Sequence, residues 1–187
     1  MMKSHRATIA AAALFCSAAA QAAVDGACER EMAQASARHG VPLGVLYAVG
    51  LTETGRTGAL DRHAINVEGA PYFPRDLAAA IKIVEGAQRR GAKLIDVGCM
   101  QVNVHFHGAH FPSLAAMFDP AANVDYAARF LKRLRAEQLS WTLAVARYHA
   151  GPNNNPAQKR YVCAVIGAMV RSGFGAWTPA ARSFCRP

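Results

Sequence analysis

The 187-residue chain has no Cys-x-x-Cys pair, which speaks against a dithiol redox centre or a zinc ribbon. It has no apolar run long enough to span a bilayer. It shows no internal repeat, no low-complexity domain and no composition break that would mark a second folded domain. Acids are scarce: 12 Asp and Glu face 21 Lys and Arg, a formal net charge of +9. A chain so basic has anionic surroundings as its natural partner, such as cell-wall polymers, membrane surfaces or nucleic acid.

The N-terminus reads as a secretory leader. Lys3, His5 and Arg6 form a basic head, Ile9 to Ala20 a small-residue apolar run, and Ala20-Gln21-Ala22 a cleavage pattern. Phe15 before Cys16 argues against a lipoprotein signal. Residues 1–22 are therefore expected to be cleaved, leaving 23–187 as one periplasmic domain, large enough for a real core. Loss of Lys3 and Arg6, with no acid, lowers the charge from +9 to +7. Export makes nucleic acid the least fitting of the anionic partners. Cys28, Cys99, Cys163 and Cys185 remain after cleavage and suggest two disulfides, with three connectivities open.

The remaining pattern predicts a mainly helical α+β domain. Helices are expected over 28–39, 42–54, 77–90, 113–118, 120–137, 141–150 and 157–171, with Gly40, Pro42, Gly91, Ser113, Asp119-Pro120 and Ser140 as boundary signals. Residues 64–68 and 93–97 alternate as short strands and are expected to pair. Gly55 to Pro74 otherwise reads as irregular, Gly151 to Pro156 as a loop, and Ser172 onward as a tail held by Cys185. Arg129, Lys132, Arg133 and Arg135 read as a solvated helix face.

One acid stands apart. Glu53 lies four residues after Val49 and seven after Leu46, on an otherwise apolar helical face. A carboxyl there is partly desolvated, which favours the protonated form that a general acid needs. Taken alone, the stretch reads as a helix end with an ordinary solvated Glu, and Gly55 as its stop. Three further elements reverse that reading: Gly98-Cys99-Met100-Gln101-Val102-Asn103, then Ala146-Arg147-Tyr148-His149-Ala150-Gly151, then Tyr161-Val162.

In order and spacing these elements resemble the soluble-type lytic transglycosylases, whose fold is lysozyme-like. That family carries Glu-Ser at a helix end, then Gly-Leu-Met-Gln-(Ile/Val)-x, then Ala-Tyr-Asn-Ala-Gly, then a Tyr on a late helix. Here Thr54 replaces Ser, Cys99 replaces Leu, Arg147 is inserted before Tyr148, and His149 stands where Asn is usual. The resemblance covers about residues 28–172. The stretch from Glu53 to Gly98 resembles the specialised variant found with type IV secretion and conjugation machinery.

The resemblance implies cleavage of the β-1,4 bond between N-acetylmuramic acid and N-acetylglucosamine in peptidoglycan, without water and without a cofactor. Glu53 would serve as acid and then as base, leaving a 1,6-anhydromuramoyl end. Thr54, Met100, Gln101, Tyr148, His149 and Tyr161, with Asn66 and Asn103 as weaker candidates, would bind or orient the sugar. Rival readings are a hydrolytic muramidase, a non-catalytic wall-binding or secretion-assembly protein, and a basic nucleic-acid binder. Asp96 reads as a strand residue with a structural hydrogen bond rather than as a second catalytic acid. His105, His107 and His110 read as a polar loop rim. On a strand, His-x-His would turn both rings to one side as a metal pair, but no further ligand lies at convincing spacing.

Overall fold

The computed structural model describes residues 26–54, 59–151 and 155–186. The expected leader, Gly55, Gly58 and residues 152–154 of the expected loop lie outside the described residues. Helix α1 (Ala27–His39) carries Glu29 in its first turn and Arg38 and His39 in its last, matching the helix dipole. It stops at Gly40, whose left-handed φ of 69° lets its N–H bond to the Ser36 carbonyl. Helix α2 (Leu43–Thr54) begins just after Pro42. It is apolar almost all round and buries Val45, Leu46, Ala48, Val49 and Gly50, so it runs through the centre of the domain.

Strands β1 (Ile65–Val67) and β2 (Ala70–Tyr72) follow, then α3 (Leu77–Arg89), β3 (Ile95–Val97) and β4 (Val102–Asn103). They form one antiparallel sheet in the order β2-β1-β3-β4, and the expected pairing of the 64–68 and 93–97 segments is present. Strand β2 departs from the irregular stretch expected there. Glu68 and Gly69, at φ 52° and 95°, make a two-residue hairpin turn between Val67 and Ala70. Pro71 is tolerated because β2 is an edge strand and its missing N–H breaks no inner ladder.

The histidine segment also departs from expectation. It is neither strand nor loop: α4 (Val104–His107) runs into a 3₁₀ turn over Gly108–His110. His107 bonds the Tyr126 hydroxyl at 2.8 Å and packs on Tyr126 and Phe130, so it serves an aromatic cluster. Helices α5 (Leu114–Met117), α6 (Pro120–Gln138), α7 (Trp141–Ala150) and α8 (Asn155–Arg171) complete the body. Ser113 and Asp119 cap α5 and α6 through their side chains, whereas Ser140 holds the N-cap position of α7 without such a bond. The tail adds α9 (Pro179–Phe184), capped by Thr178.

Helix α2 packs against α1 and α8, and α6 against α1 and α7. Met32, Leu46, Val49, Met100, Val124 and Leu131 are fully buried at the centre. Of the possible connectivities the chain uses Cys28–Cys99 and Cys163–Cys185. The first ties α1 to the turn after β3, and the second ties the tail to α8. Among the described residues, no helix is long and apolar enough to cross a membrane. The architecture is the mainly helical α+β domain with a small sheet that the lysozyme-like resemblance implied.

Candidate active site

Glu53 hangs from the last turn of α2. Leu46 and Val49, on the same face, are fully buried, and the Glu53 side chain keeps only 13% of its surface exposed. Gly50, one turn earlier, is required by close packing. A Cβ there would meet the Met32 methyl at 2.6 Å and the Cys99 carbonyl at 3.2 Å. The central helix therefore presses directly against the Gly98–Gln101 turn.

That turn is held from several sides. Gly98 sits at φ 82°, and a Cβ on it would strike the Asn123 amide at 2.5 Å. Asn123, fully buried on α6, accepts from the Met100 N–H at 2.8 Å. It donates to the carbonyls of Val97 at 3.0 Å and Met117 at 2.8 Å. Asn123 is a site-supporting residue that the sequence reading missed; its only local signal was a polar side chain beside the apolar stripe of α6. Asn123→Ala is expected to cost about 2–4 kcal/mol, because it strands three buried backbone groups. Chemical denaturation checks this, and a loss under about 1 kcal/mol would mean the turn stands without it.

Several candidate sugar-binding residues are committed to the scaffold instead. Met100 was expected to line the cleft, but its side chain is fully buried. Its contribution to the site is a carbonyl, which accepts the Tyr148 hydroxyl at 2.8 Å. Gln101, in a left-handed conformation at φ 47°, is 7% exposed. Its amide N–H groups donate to the carbonyls of Ala64 and Gly98, so they brace the turn against β1 rather than reach for an acetamido group. Thr54 is buried, and its hydroxyl has no hydrogen-bond partner among the described residues. For Met100 and Gln101 the physical reason is shared: the chain packs this turn into the core from both sides, so their side chains point inward.

The sheet contributes a polar ladder. Asn66, Asp96 and Asn103 are paired across β1, β3 and β4 and share one face. Ile65, Ile95, Val97 and Val102, on the opposite face, are buried. Asn66 accepts from the Gly69 N–H and so secures the hairpin turn. Asn103 caps α4 with its oxygen and donates its amide to Asp96 at 2.7 Å. Asp96 has the structural hydrogen bond expected of it, and it also lies within electrostatic reach of Glu53 and His149. Burial pushes its pKa up to about 6, and the Glu53 charge adds to that; the Asn103 bond and His149 oppose it.

A raised carboxyl pKa means that the folded chain holds this proton more tightly than the unfolded one. The resulting stability is complete below about pH 4 and is lost as pH rises through about 6. Asp96→Asn, which keeps an oxygen for Asn103, is expected to stabilise the fold by roughly 1–3 kcal/mol near pH 7 and by little at pH 4. Thermal melts across that range check it, and an equal effect at both pH values would contradict the burial account.

Helices α7 and α8 close the constellation. The Tyr161 hydroxyl donates to Glu53 Oε1 at 2.5 Å. His149 Nδ1 lies 3.5 Å from the same oxygen, and its ring stacks on Tyr161 with centroids 4.1 Å apart. Burial, then the charge of Glu53, holds both Tyr148 and Tyr161 far on the protonated side. Both phenols therefore act as hydrogen-bond donors. Of the residues singled out from sequence, Tyr161 and His149 meet Glu53 directly, and Tyr148 is coupled to it while anchored to Met100. His105, His107 and His110 take no part. Among the described residues, no group of three or more His, Cys, Asp or Glu is placed to hold a metal ion.

A sheltered carboxyl, donor phenols from two helices and Asp96 of the sheet within electrostatic reach form a site suited to protonating a glycosidic oxygen. Residues 31–165 match the family described as the Transglycosylase SLT domain. Comparison with curated proteins and with solved structures returned no match. The matched segment is most of the chain and contains Glu53, the Gly98–Gln101 turn, Tyr148 and Tyr161. The chain accordingly belongs to the Transglycosylase SLT domain family and is a lytic transglycosylase acting on peptidoglycan.

Proposed function

We propose that the chain cleaves the β-1,4 bond between N-acetylmuramic acid and N-acetylglucosamine non-hydrolytically, with Glu53 as the sole proton-transfer group. Glu53 protonates the leaving glycosidic oxygen as the bond breaks. The muramoyl acetamido group helps to stabilise the oxocarbenium-like centre from within the substrate. Glu53, now ionised, takes the proton from the muramoyl 6-hydroxyl. That oxygen closes on the anomeric carbon, the product carries a 1,6-anhydro ring, and Glu53 ends protonated as it began. The observation that carries this reading is the Tyr161 hydroxyl bonded to a nearly enclosed Glu53 at the end of an apolar helix.

Tyr161 orients one carboxyl oxygen. Tyr148 acts at one remove by fixing the Met100 carbonyl and so the turn beside Glu53. Thr54, Asn66, Met100, Gln101 and Asn103 shape this end of the cleft, with Asn103 holding Asp96. Residues 1–22 act as a cleaved leader and deliver the domain to the periplasm, where the two disulfides form. The basic surface favours the anionic glycan-peptide mesh. The job is local opening of the wall, in the service of a type IV secretion or conjugation apparatus.

Asp96 favours a second reading. A second carboxylate within reach of the acid is what a retaining muramidase uses to trap or stabilise the glycosyl cation before water attacks. Mass spectrometry of muropeptides released from purified sacculi separates the two. Anhydromuramoyl ends are expected, whereas reducing muramoyl ends would transfer the assignment to hydrolysis.

A further inference from the structure

His149 stands where the resembling motif carries an asparagine, and the reaction proposed above makes no use of it. Its ring is nevertheless the second group on the key oxygen. Tyr161 reaches Glu53 Oε1 from α8 at 2.5 Å, and His149 Nδ1 reaches the same atom from α7 at 3.5 Å. The imidazole lies flat against the Tyr161 ring, with planes 2° apart, so the two groups steady one another. The His149 side chain keeps 45% of its surface exposed against 13% for Glu53, so it can exchange protons with solvent while Glu53 is enclosed.

Among the described residues, the charged and titratable groups around the ring are few. Glu53 faces it from α2 and Asp96 from β3, and both favour a cation there. Tyr161 on α8 is neutral, and Tyr148 on its own helix is turned to the Met100 carbonyl. Arg147, its neighbour on α7, reaches the Gly151 carbonyl.

We propose that His149 is a positioning residue: as an imidazolium it holds, together with Tyr161, Oε1 of Glu53 in the ionised state that follows proton donation, leaves Oε2 to take the muramoyl 6-hydroxyl proton, and lets go when the ring loses its proton. This rests on the assignment of Glu53 as the proton-transfer group. An asparagine amide donates at every pH. An imidazole grips a carboxylate as a cation only below its own pKa. The bond to Glu53 raises that pKa, burial opposes, and the charges of Glu53 and Asp96 add to the rise. The grip is complete on the acid side and is lost as pH rises through the raised value. Replacing Asn by His thus converts a constant hold into a pH-dependent one.

The test follows kcat and KM on soluble glycan strands from about pH 5 to 9 for wild type, His149→Asn and His149→Ala. The His149 ring is followed by NMR in wild type and in Glu53→Gln. Wild-type kcat is expected to fall on the alkaline side with a midpoint that tracks the His149 titration. His149→Asn should keep the acid-side rate and move that limb up by about half a pH unit or more. His149→Ala should lose about tenfold in kcat at acid pH with KM nearly unchanged. Glu53→Gln should lower the His149 midpoint.

Superimposable pH profiles for wild type and His149→Asn, or an unmoved His149 midpoint in Glu53→Gln, would leave the ring a stacking role only and overturn the proposal. An active wild type with unchanged profiles removes this inference alone. A wild type without turnover at any pH removes the Glu53 assignment, and this inference with it.

Discussion

Glu53→Gln is expected to lower peptidoglycan cleavage by about three orders of magnitude while leaving the fold and wall binding intact. General acid–base catalysis by one positioned group contributes roughly 10²–10⁴-fold. Here the same group is asked to give a proton and then to take one, so the loss falls at the upper part of that range. Glutamine has the shape of glutamate and keeps an oxygen for the Tyr161 hydroxyl, so the bond at 2.5 Å has a replacement acceptor. It has no acidic proton to deliver. The measurement is the release of soluble muropeptides per unit time, beside circular dichroism and a sacculus pull-down. Retention of more than about a tenth of the wild-type rate would show that another group supplies the proton. Asp96 would then be first in line, since among the described residues it is an acid within electrostatic reach of Glu53 and its pKa is pushed up to about 6. Binding without turnover in the wild type itself would favour the non-catalytic wall-binding reading.

Loss of the Cys28–Cys99 bridge is expected to cost about 4 kcal/mol, because it closes a loop of 71 residues in the unfolded chain. For a domain of this size that lowers Tm by roughly 8–16 °C. Both cysteines are almost fully buried. The effect should extend beyond stability. Cys99 precedes Met100, whose carbonyl holds Tyr148, and its own carbonyl lies against Gly50 one turn before Glu53. The double variant Cys28→Ser, Cys99→Ser should therefore lose catalytic rate below its melting temperature as well. Cutting Cys163–Cys185, which spans 22 residues and ties down only the tail, should leave the rate alone. A Tm change of under about 3 °C in the first pair would mean that core packing holds α1 and the turn together unaided. The bridge also accounts for a departure from the resembling motif. Cys99 replaces an apolar Leu at a position that is still fully buried, and the disulfide compensates for the smaller side chain.

The helices were legible because their signals are local. Gly40, Gly91, Ser113 and Asp119-Pro120 mark boundaries that the chain observes, and Val124, Ala127, Leu131 and Leu134 face the core as their spacing requires. The hairpin strand β2 was not legible. Gly69 and Pro71 read as turn residues, and only pairing with β1 shows that Pro71 sits on a sheet edge. For the His105–His110 segment the sequence left open strand or loop. The Asn103 side chain decides for a helix by accepting from the His105 and Phe106 N–H groups. For the site, Glu53 was marked by its place on an apolar face only in combination with the three motifs that follow it. The use to which Gln101, Asn103 and Asn123 are put was not, because each is spent on a backbone or carboxyl partner that nothing in its own segment announces.

Residue order alone made the α+β class, most of the long-helix boundaries and the family resemblance legible and put Glu53 forward as the acid, since these depend on periodicity, capping and short motifs. Tertiary structure alone decided which cysteines pair, that Asp96 comes within electrostatic reach of Glu53, and that Tyr161 and His149 share one oxygen of Glu53. Tyr161 and Glu53 are 108 residues apart in the chain. A contact at that separation exists only because α2, α7 and α8 pack around a common core, and the geometry of that packing is a property of the whole fold rather than of any segment.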